Sequence, residues 1–324
     1  MRIQDVFRYY GEDIRRVEDC MKRHLSTDVD LIVKIVDHLV GSGGKRFRPL
    51  LLLATSDLCG YRGERRYPMS AMIELIHTAT LLHDDVVDHA ETRRGKASAN
   101  NIWGNSASVL VGDFLVSKSF KLMTDDGSLA VMKLMCTTTN TMAEGELFQL
   151  SRSGDIGIGE REYLSLIEKK TSILIAAACA IGAILADAPA TQVEALTRFG
   201  MRIGSAFQIT DDTLDYVAKE EEFGKVIGKD LEEGKITLPL IHALKRCSRE
   251  EKELVKRFLG TSAQQDQATG GIMALISRYG GIAYALEKAR SFIEEGKGIL
   301  GDFEDSDAKA ALIAISDYII ERRI

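Results

Sequence analysis

Proline is scarce, at four residues in 324. Proline interrupts helix interiors, so its scarcity is compatible with a chain that is helical throughout. The five cysteines (Cys20, Cys59, Cys136, Cys179, Cys247) are odd in number and scattered, with no CxxC pair. That argues against a disulfide framework or a structural zinc and fits a reducing compartment. Basic excess is absent as well: the formal net charge is −6, whereas a nucleic-acid binder presents a basic face. No nucleic-acid partner is expected. The first residues, MRIQDVFRYYGED, lack the apolar stretch of a signal peptide. The longest strongly apolar uncharged run, between Lys170 and Asp187, holds 16 residues, which is short for a membrane span and suits a buried helix. No transmembrane segment is expected, and the expected location is the cytoplasm.

What is present is helical periodicity. Val6, Phe7, Tyr10, Ile14, Val17 and Met21 mark one helix face, and Leu31, Ile32, Ile35 and Leu39 the next. Pro49 suits the first turn of a third helix, and Pro68 opens a long one. Further helices are expected over 106–123, 128–151, 160–186, 190–218, 236–246 and 249–259. No run alternates convincingly as a strand, and no proline-rich linker divides the chain. The expectation is an all-α fold: one domain over residues 1–324, an antiparallel bundle of about a dozen helices around a central cavity.

Two acidic clusters stand out, Asp84-Asp85-Val86-Val87-Asp88 and Asp211-Asp212-Thr213-Leu214-Asp215. Both read DDxxD. On a helix, residues four apart share a face, which sets Asp84 beside Asp88 and Asp211 beside Asp215. Carboxylates packed on an apolar helix repel one another unless a cation sits among them. Hard oxygen donors with room for a phosphate describe a magnesium site. A solvated acidic turn is the plainer reading of one cluster, but one DDxxD arises by chance only about 0.08 times in such a chain. Two are much harder to explain that way.

Basic residues accompany both clusters. Gly43-Gly44-Lys45-Arg46-Phe47-Arg48-Pro49 lets the backbone approach a ligand and puts cations beside it; alone, it reads equally as a helix C-cap followed by surface charge. His77 lies two helical turns before Asp84 on the same face. A lone histidine on an apolar helix is more often core, and the shared face favours a diphosphate contact. His83 points elsewhere and reads as structural. Arg93, Arg94 and Lys96 follow the first cluster, where cations also suit a helix C-terminus. Lys169-Lys170-Thr171 precedes an apolar helix, Phe207-Gln208 lies one turn before the second cluster, and Lys225, Lys229, Asp230 and Lys235 fall in GKVIGKDLEEGK after it. Metals and cations together neutralise a bound diphosphate.

The stretches GGKRFRP, LLHDDVVDHAETRRGK, the KT pair, FQITDDTLDY and GKVIGKDLEEGKITLP resemble, in order, the five signatures of the trans-isoprenyl diphosphate synthases, also called polyprenyl synthetases. The resemblance runs from about residue 30 to residue 245, and its long-chain bacterial branch, similar to octaprenyl diphosphate synthase, fits best. It implies the isoprenoid synthase fold, a homodimer, and a prenyltransferase that joins isopentenyl diphosphate to an allylic diphosphate (farnesyl or geranylgeranyl). It further implies three magnesium ions held by Asp84, Asp88 and Asp211, with Asp85, Asp212 and Asp215 in support. Arg93, Lys170, Lys225 and Lys235 would contact the allylic diphosphate, and Lys45, Arg48, His77 and Arg94 isopentenyl diphosphate. Thr171, Gln208 and the Lys170 carbonyl would face the allylic cation.

Ala79 and Thr80 lie one turn below Asp84 and are small, with Ile76, Ile73 and Met72 beyond them. In the family an aromatic there floors the product tunnel, so a product of about seven to nine isoprene units, roughly C35–C45, is expected, each helix turn adding about 5.4 Å of depth. Small residues also simply permit close helix packing. Rival readings are a shorter-chain farnesyl or geranylgeranyl synthase and, from another class, an HD-type metal phosphohydrolase built on His83-Asp84 and His38. The latter leaves the second DDxxD, GGKRFRP and the KT pair unexplained.

Overall fold

The computed structural model describes residues 1–40, 46–93, 95–217, 229–259 and 265–321, and these are almost entirely helical. The described chain forms two compact units, each assembled from separated stretches: Met1–Thr138, Leu174–Gly200 and Leu300–Ile315 in one, Thr139–Ile173, Met201–Ile299 and Ser316–Ile324 in the other. Among the described residues no helix is long and apolar enough to cross a membrane.

In the first unit the central element is Arg66–Val87, which carries the first acidic cluster at its C-terminal end and is called here the first aspartate helix. Met69, Met72, Ile73, Leu75 and Ile76 along it are buried, each adding about 1.5–3 kcal/mol by leaving water. It packs chiefly on Asn105–Asp126. Gly112 sits at that crossing, where a Cβ would overlap the ring of His83. The expected first helix divides at the buried Tyr10 into Ile3–Tyr9 and Gly11–His24. A buried cation ties this N-terminal region down: Arg66 donates to Asp57 at 2.7 Å and to Asp13 at 2.8 Å. The apolar helix Ile173–Leu185 is buried on nearly every side, as uniform hydrophobicity requires.

The second unit is built around residues 201–217 of the helix Ala190–Val217, the second aspartate helix, with core side chains Tyr163, Ile203, Ile209, Leu238, Leu240, Ala289 and Ile293. One expected element is broken. Periodicity predicts an uninterrupted helix over 160–186, yet Glu160–Ile167 passes into a π-helical turn, Glu168–Ser172, before Ile173–Leu185 begins. The Ser172 hydroxyl reaches back five residues to the Ile167 carbonyl, at 3.2 Å. Such bulges insert one residue into the ladder and commonly mark functional sites. The inserted stretch contains Lys169, Lys170 and Thr171.

A second departure is small. Two-residue strands, Thr92–Arg93 and Lys96–Ala97, pair antiparallel directly after the first cluster, Thr92 opposite Ala97 and Arg93 opposite Lys96. They are too short to show the alternation by which strands are read from sequence.

Candidate active site

The first acidic cluster closes its helix. Val87 is the last helical residue, Asp88 is the C-cap, and His89 turns out of the helix at φ +49°. The Asp88 amide still donates to the Asp84 carbonyl at 2.8 Å, so the i, i+4 relation of the two aspartates survives. Both are partly accessible, while Asp85 is buried at 1%. Arg93 Nε donates to Asp85 Oδ1 at 2.7 Å, which means the short hairpin folds back on the cluster. The structure thus sets Arg93 on Asp85, a contact that spacing alone did not suggest.

His77 is half-buried, two residues before the buried Ala79. Thr80 is half-buried and donates its hydroxyl to the His77 carbonyl at 2.8 Å. Within GGKRFRP, Arg46 is buried, with φ +44°, and pairs with Glu18 at 3.0 Å and Glu74 at 3.2 Å. Its charge is spent inside the fold. Arg48 is half-buried in the first turn of Phe47–Leu58. Lys45, Arg94 and Lys225 lie outside the described residues.

In the second unit the predicted residues come together closely. Asp212 is buried and accepts from Tyr163 Oη at 2.5 Å on Oδ2 and from Gln208 Nε2 at 2.6 Å on Oδ1. Gln208 Oε1 in turn accepts from the Thr171 hydroxyl at 2.7 Å. Burial, with the neighbouring Asp211 charge, pushes the Asp212 carboxyl up to about 6 against the lowering pull of Tyr163, Gln208 and Lys235. Asp211 is exposed and Asp215 half-buried, with Asp215 Oδ2 accepting from the Asp230 amide at 3.0 Å. The Asp230 carboxyl is raised well above the usual range, first by burial and then by Asp212 and Asp215. Lys235 pairs with Glu233 at 2.6 Å and Lys170 with Glu146 at 2.6 Å.

Gly145 explains how the π turn is held. A Cβ there would come within 2.9 Å of the Lys170 amide and of Lys169 Cβ; only glycine admits so close an approach. The flanking carboxylates each take one lysine, Glu144 with Lys169 at 3.3 Å and Glu146 with Lys170.

Two residues were missed by reasoning from sequence, Tyr163 and Glu146. Nothing local distinguishes them, because their partners are 24 to 49 residues away.

Among the described residues no three His, Cys, Asp or Glu side chains form a ready metal cage. Magnesium does not need one: it keeps several waters and is held by one or two carboxylates together with substrate phosphates. The partly accessible Asp84 and Asp88 pair, and Asp211 with Asp215, fit that donor pattern.

Comparison with known proteins gives a consistent answer. The profile of the family described as Polyprenyl synthetase matches residues 29–276. Octaprenyl diphosphate synthase from Escherichia coli (strain K12) is 36% identical over 327 residues, covering 99% of each chain. Geranylgeranyl diphosphate synthase from Sulfolobus acidocaldarius is 35% identical over 324 residues, covering 97% of this chain and 98% of its own. Among solved structures, a polyprenyl synthase from Caulobacter crescentus CB15, complexed with calcium and isoprenyl diphosphate, is similar with a TM-score of 0.95 and 37% identity, covering 99% of this chain and 98% of its own. A decaprenyl diphosphate synthase from Rhodobacter capsulatus gives 0.94 and 38%, covering 99% of each chain.

Proposed function

We propose a magnesium-dependent synthase of long-chain all-trans polyprenyl diphosphates, from the premise that the chain belongs to the polyprenyl synthetase family. It is accordingly a trans-prenyltransferase with the all-α isoprenoid synthase fold. Membership displaces the phosphohydrolase alternative, whose two histidines are otherwise engaged: His83 sits against the Val109 carbonyl at 3.2 Å and His38 against that of Ala97 at 2.9 Å.

In the proposed reaction the C–O bond of an allylic diphosphate breaks, leaving an allylic cation and a diphosphate. The double bond of isopentenyl diphosphate then attacks, a C–C bond forms, and a proton is lost to the departed diphosphate. Bound magnesium, three ions on the aspartates of both clusters, would supply Lewis-acid stabilisation of the leaving group. Lys170, held by Glu146, brings a cation toward the departing diphosphate. Gln208 and Thr171 present oxygen dipoles, fixed in advance by their mutual bond, where positive charge develops. Thr171 and Asp212 are buried, and burial there keeps water from quenching the cation. On this reading Lys235 and Lys225 belong with the allylic diphosphate, and Arg48, His77, Lys45 and Arg94 with isopentenyl diphosphate.

Chain length rests on one observation: the position one turn below Asp84 is Ala79, buried and without an aromatic ring. Relatives of similar identity make products of different length, so the family alone does not choose. Purified protein given labelled isopentenyl diphosphate, farnesyl diphosphate and Mg2+ is expected to yield products of about C35–C45, in keeping with a tunnel several helical turns deep. A product stopping at geranylgeranyl diphosphate would overturn the long-chain reading in favour of a shorter-chain synthase. The reading also takes residues 1–324 as one domain and the assembly as a homodimer. Leu110 at 67%, Leu129 at 60% and Leu147 at 67% exposure supply apolar surface for a second copy.

A further inference from the structure

Tyr163 is a buried residue for which the proposed reaction has no use. It is 1% exposed on Glu160–Ile167, with its hydroxyl directed at Asp212. The bonds around it form a chain with a fixed direction. A carboxylate only accepts hydrogen bonds, so the edge of Gln208 facing Asp212 is the amide NH2 and the edge facing Thr171 is the carbonyl. The single hydroxyl proton of Thr171 is committed to that carbonyl at 2.7 Å. Thr171 Oγ1 therefore turns only lone pairs toward anything else nearby. Reversing any one member would reverse the rest.

Asp212 is the member that sets this direction, and its orientation needs holding, since a lone carboxylate rotates about its last torsion. Gln208 anchors one oxygen from four residues back on the same helix, and Tyr163 anchors the other from a different element. We infer that Tyr163 is a positioning residue for prenyl transfer: by clamping Asp212 it fixes the Gln208 amide and the Thr171 hydroxyl with their negative ends toward the developing allylic cation. This rests on the prenyltransferase reading above. It assigns Tyr163 no contact with substrate.

The test is steady-state kinetics of Tyr163→Phe, which removes one oxygen and keeps the ring. The turnover number is expected to fall roughly 10- to 100-fold, the scale of a small loss of alignment in a reacting site. KM for both diphosphates is expected to stay within about twofold, because ground-state binding is untouched. In a double-mutant cycle, Tyr163→Phe added to Thr171→Val is expected to lose little more than Thr171→Val alone, since both act through one chain of bonds. Parental turnover in Tyr163→Phe, a loss confined to KM, or fully multiplicative losses in the cycle would each overturn the inference. If Tyr163→Phe shows no melting transition, Tyr163→Phe/Asp212→Asn removes the buried charge that has lost one of its two donors and is compared with Asp212→Asn alone; equal turnover numbers are expected, and a further multiplicative loss refutes the role. A parent enzyme that condenses no isopentenyl diphosphate fails the prenyltransferase reading and this inference with it, whereas an active parent with an equally active Tyr163→Phe fails the inference alone.

Discussion

At the scale of single residues, position relative to a helix turn decides chemistry. Ala79 is completely buried one turn below Asp84, and Thr80 beside it turns its hydroxyl back to the His77 carbonyl instead of outward. Both side chains are small and carry no aromatic ring. Ala79→Tyr is expected to shorten the product by several isoprene units, seen as a shift in carbon number on thin-layer analysis of the dephosphorylated products; unchanged length would remove Ala79 from the specificity determinants. Arg46 illustrates the opposite outcome. In GGKRFRP it looked like one more cation for a diphosphate, but its buried pairs with Glu18 and Glu74 give it to the fold. The deciding quantity is desolvation, because a buried guanidinium must be paired, and a motif carries no record of which of its cations is buried.

At the scale of elements, ion clusters fasten helices whose apolar stripes alone would leave them free to slide. Arg66 joins its own helix to Gly11–His24 through Asp13 and to Phe47–Leu58 through Asp57. Arg66→Met leaves Asp57 with Arg62 at 3.5 Å and Asp13 with the Tyr67 hydroxyl at 2.8 Å, and is expected to cost about 3 kcal/mol in urea unfolding, the lower end for breaking a buried pair; a loss below about 1 kcal/mol, typical of surface pairs, would show the cluster to be solvent-screened. Glu160, the first residue of Glu160–Ile167, collects Tyr284 at 2.8 Å, Lys245 at 3.1 Å and Lys288 at 3.4 Å. Burial pushes its carboxyl up, but the bonds from Tyr284 and Lys245 and the charges of Lys245 and Lys288 outweigh it, and the net shift is downward from 4.5. A depressed carboxyl binds protons more weakly folded than unfolded, so its stabilisation is present above about 4.5 and fades as the pH falls through the folded value. The destabilisation caused by Glu160→Gln is therefore expected to be larger at neutral pH than at a pH of roughly 3.5 in matched denaturant unfolding. An effect that grows toward acid would contradict this sign.

At the scale of the whole molecule, the proposal assigns the aspartates of both acidic clusters to the binding of magnesium and diphosphate. Ligands that bind only the native state raise its melting temperature by mass action. Mg2+ and inorganic diphosphate together are expected to raise it by more than the sum of their separate shifts. Asp84→Ala and Asp211→Ala should each abolish that joint increment and lower turnover by two orders of magnitude or so, while leaving the ligand-free melting temperature close to the parent's. Two clusters acting separately would instead leave about half the increment in each variant.

Much of this was legible in the residues themselves. The 3.6-residue period and the scarcity of proline specify helices, and the DDxxD spacing specifies carboxylates on a shared face; both are local properties of a few consecutive turns. The family followed from five short signatures in order, since phosphate and metal chemistry limits which residue types can serve. Tertiary structure decided the rest. The π turn at Glu168–Ser172 depends on Gly145 letting a neighbouring helix approach, and the alignment of Thr171 and Gln208 on Asp212 depends on Tyr163, 49 residues distant. Burial and hydrogen-bond direction are set by what packs against a side chain, and that is written in no single stretch of the chain.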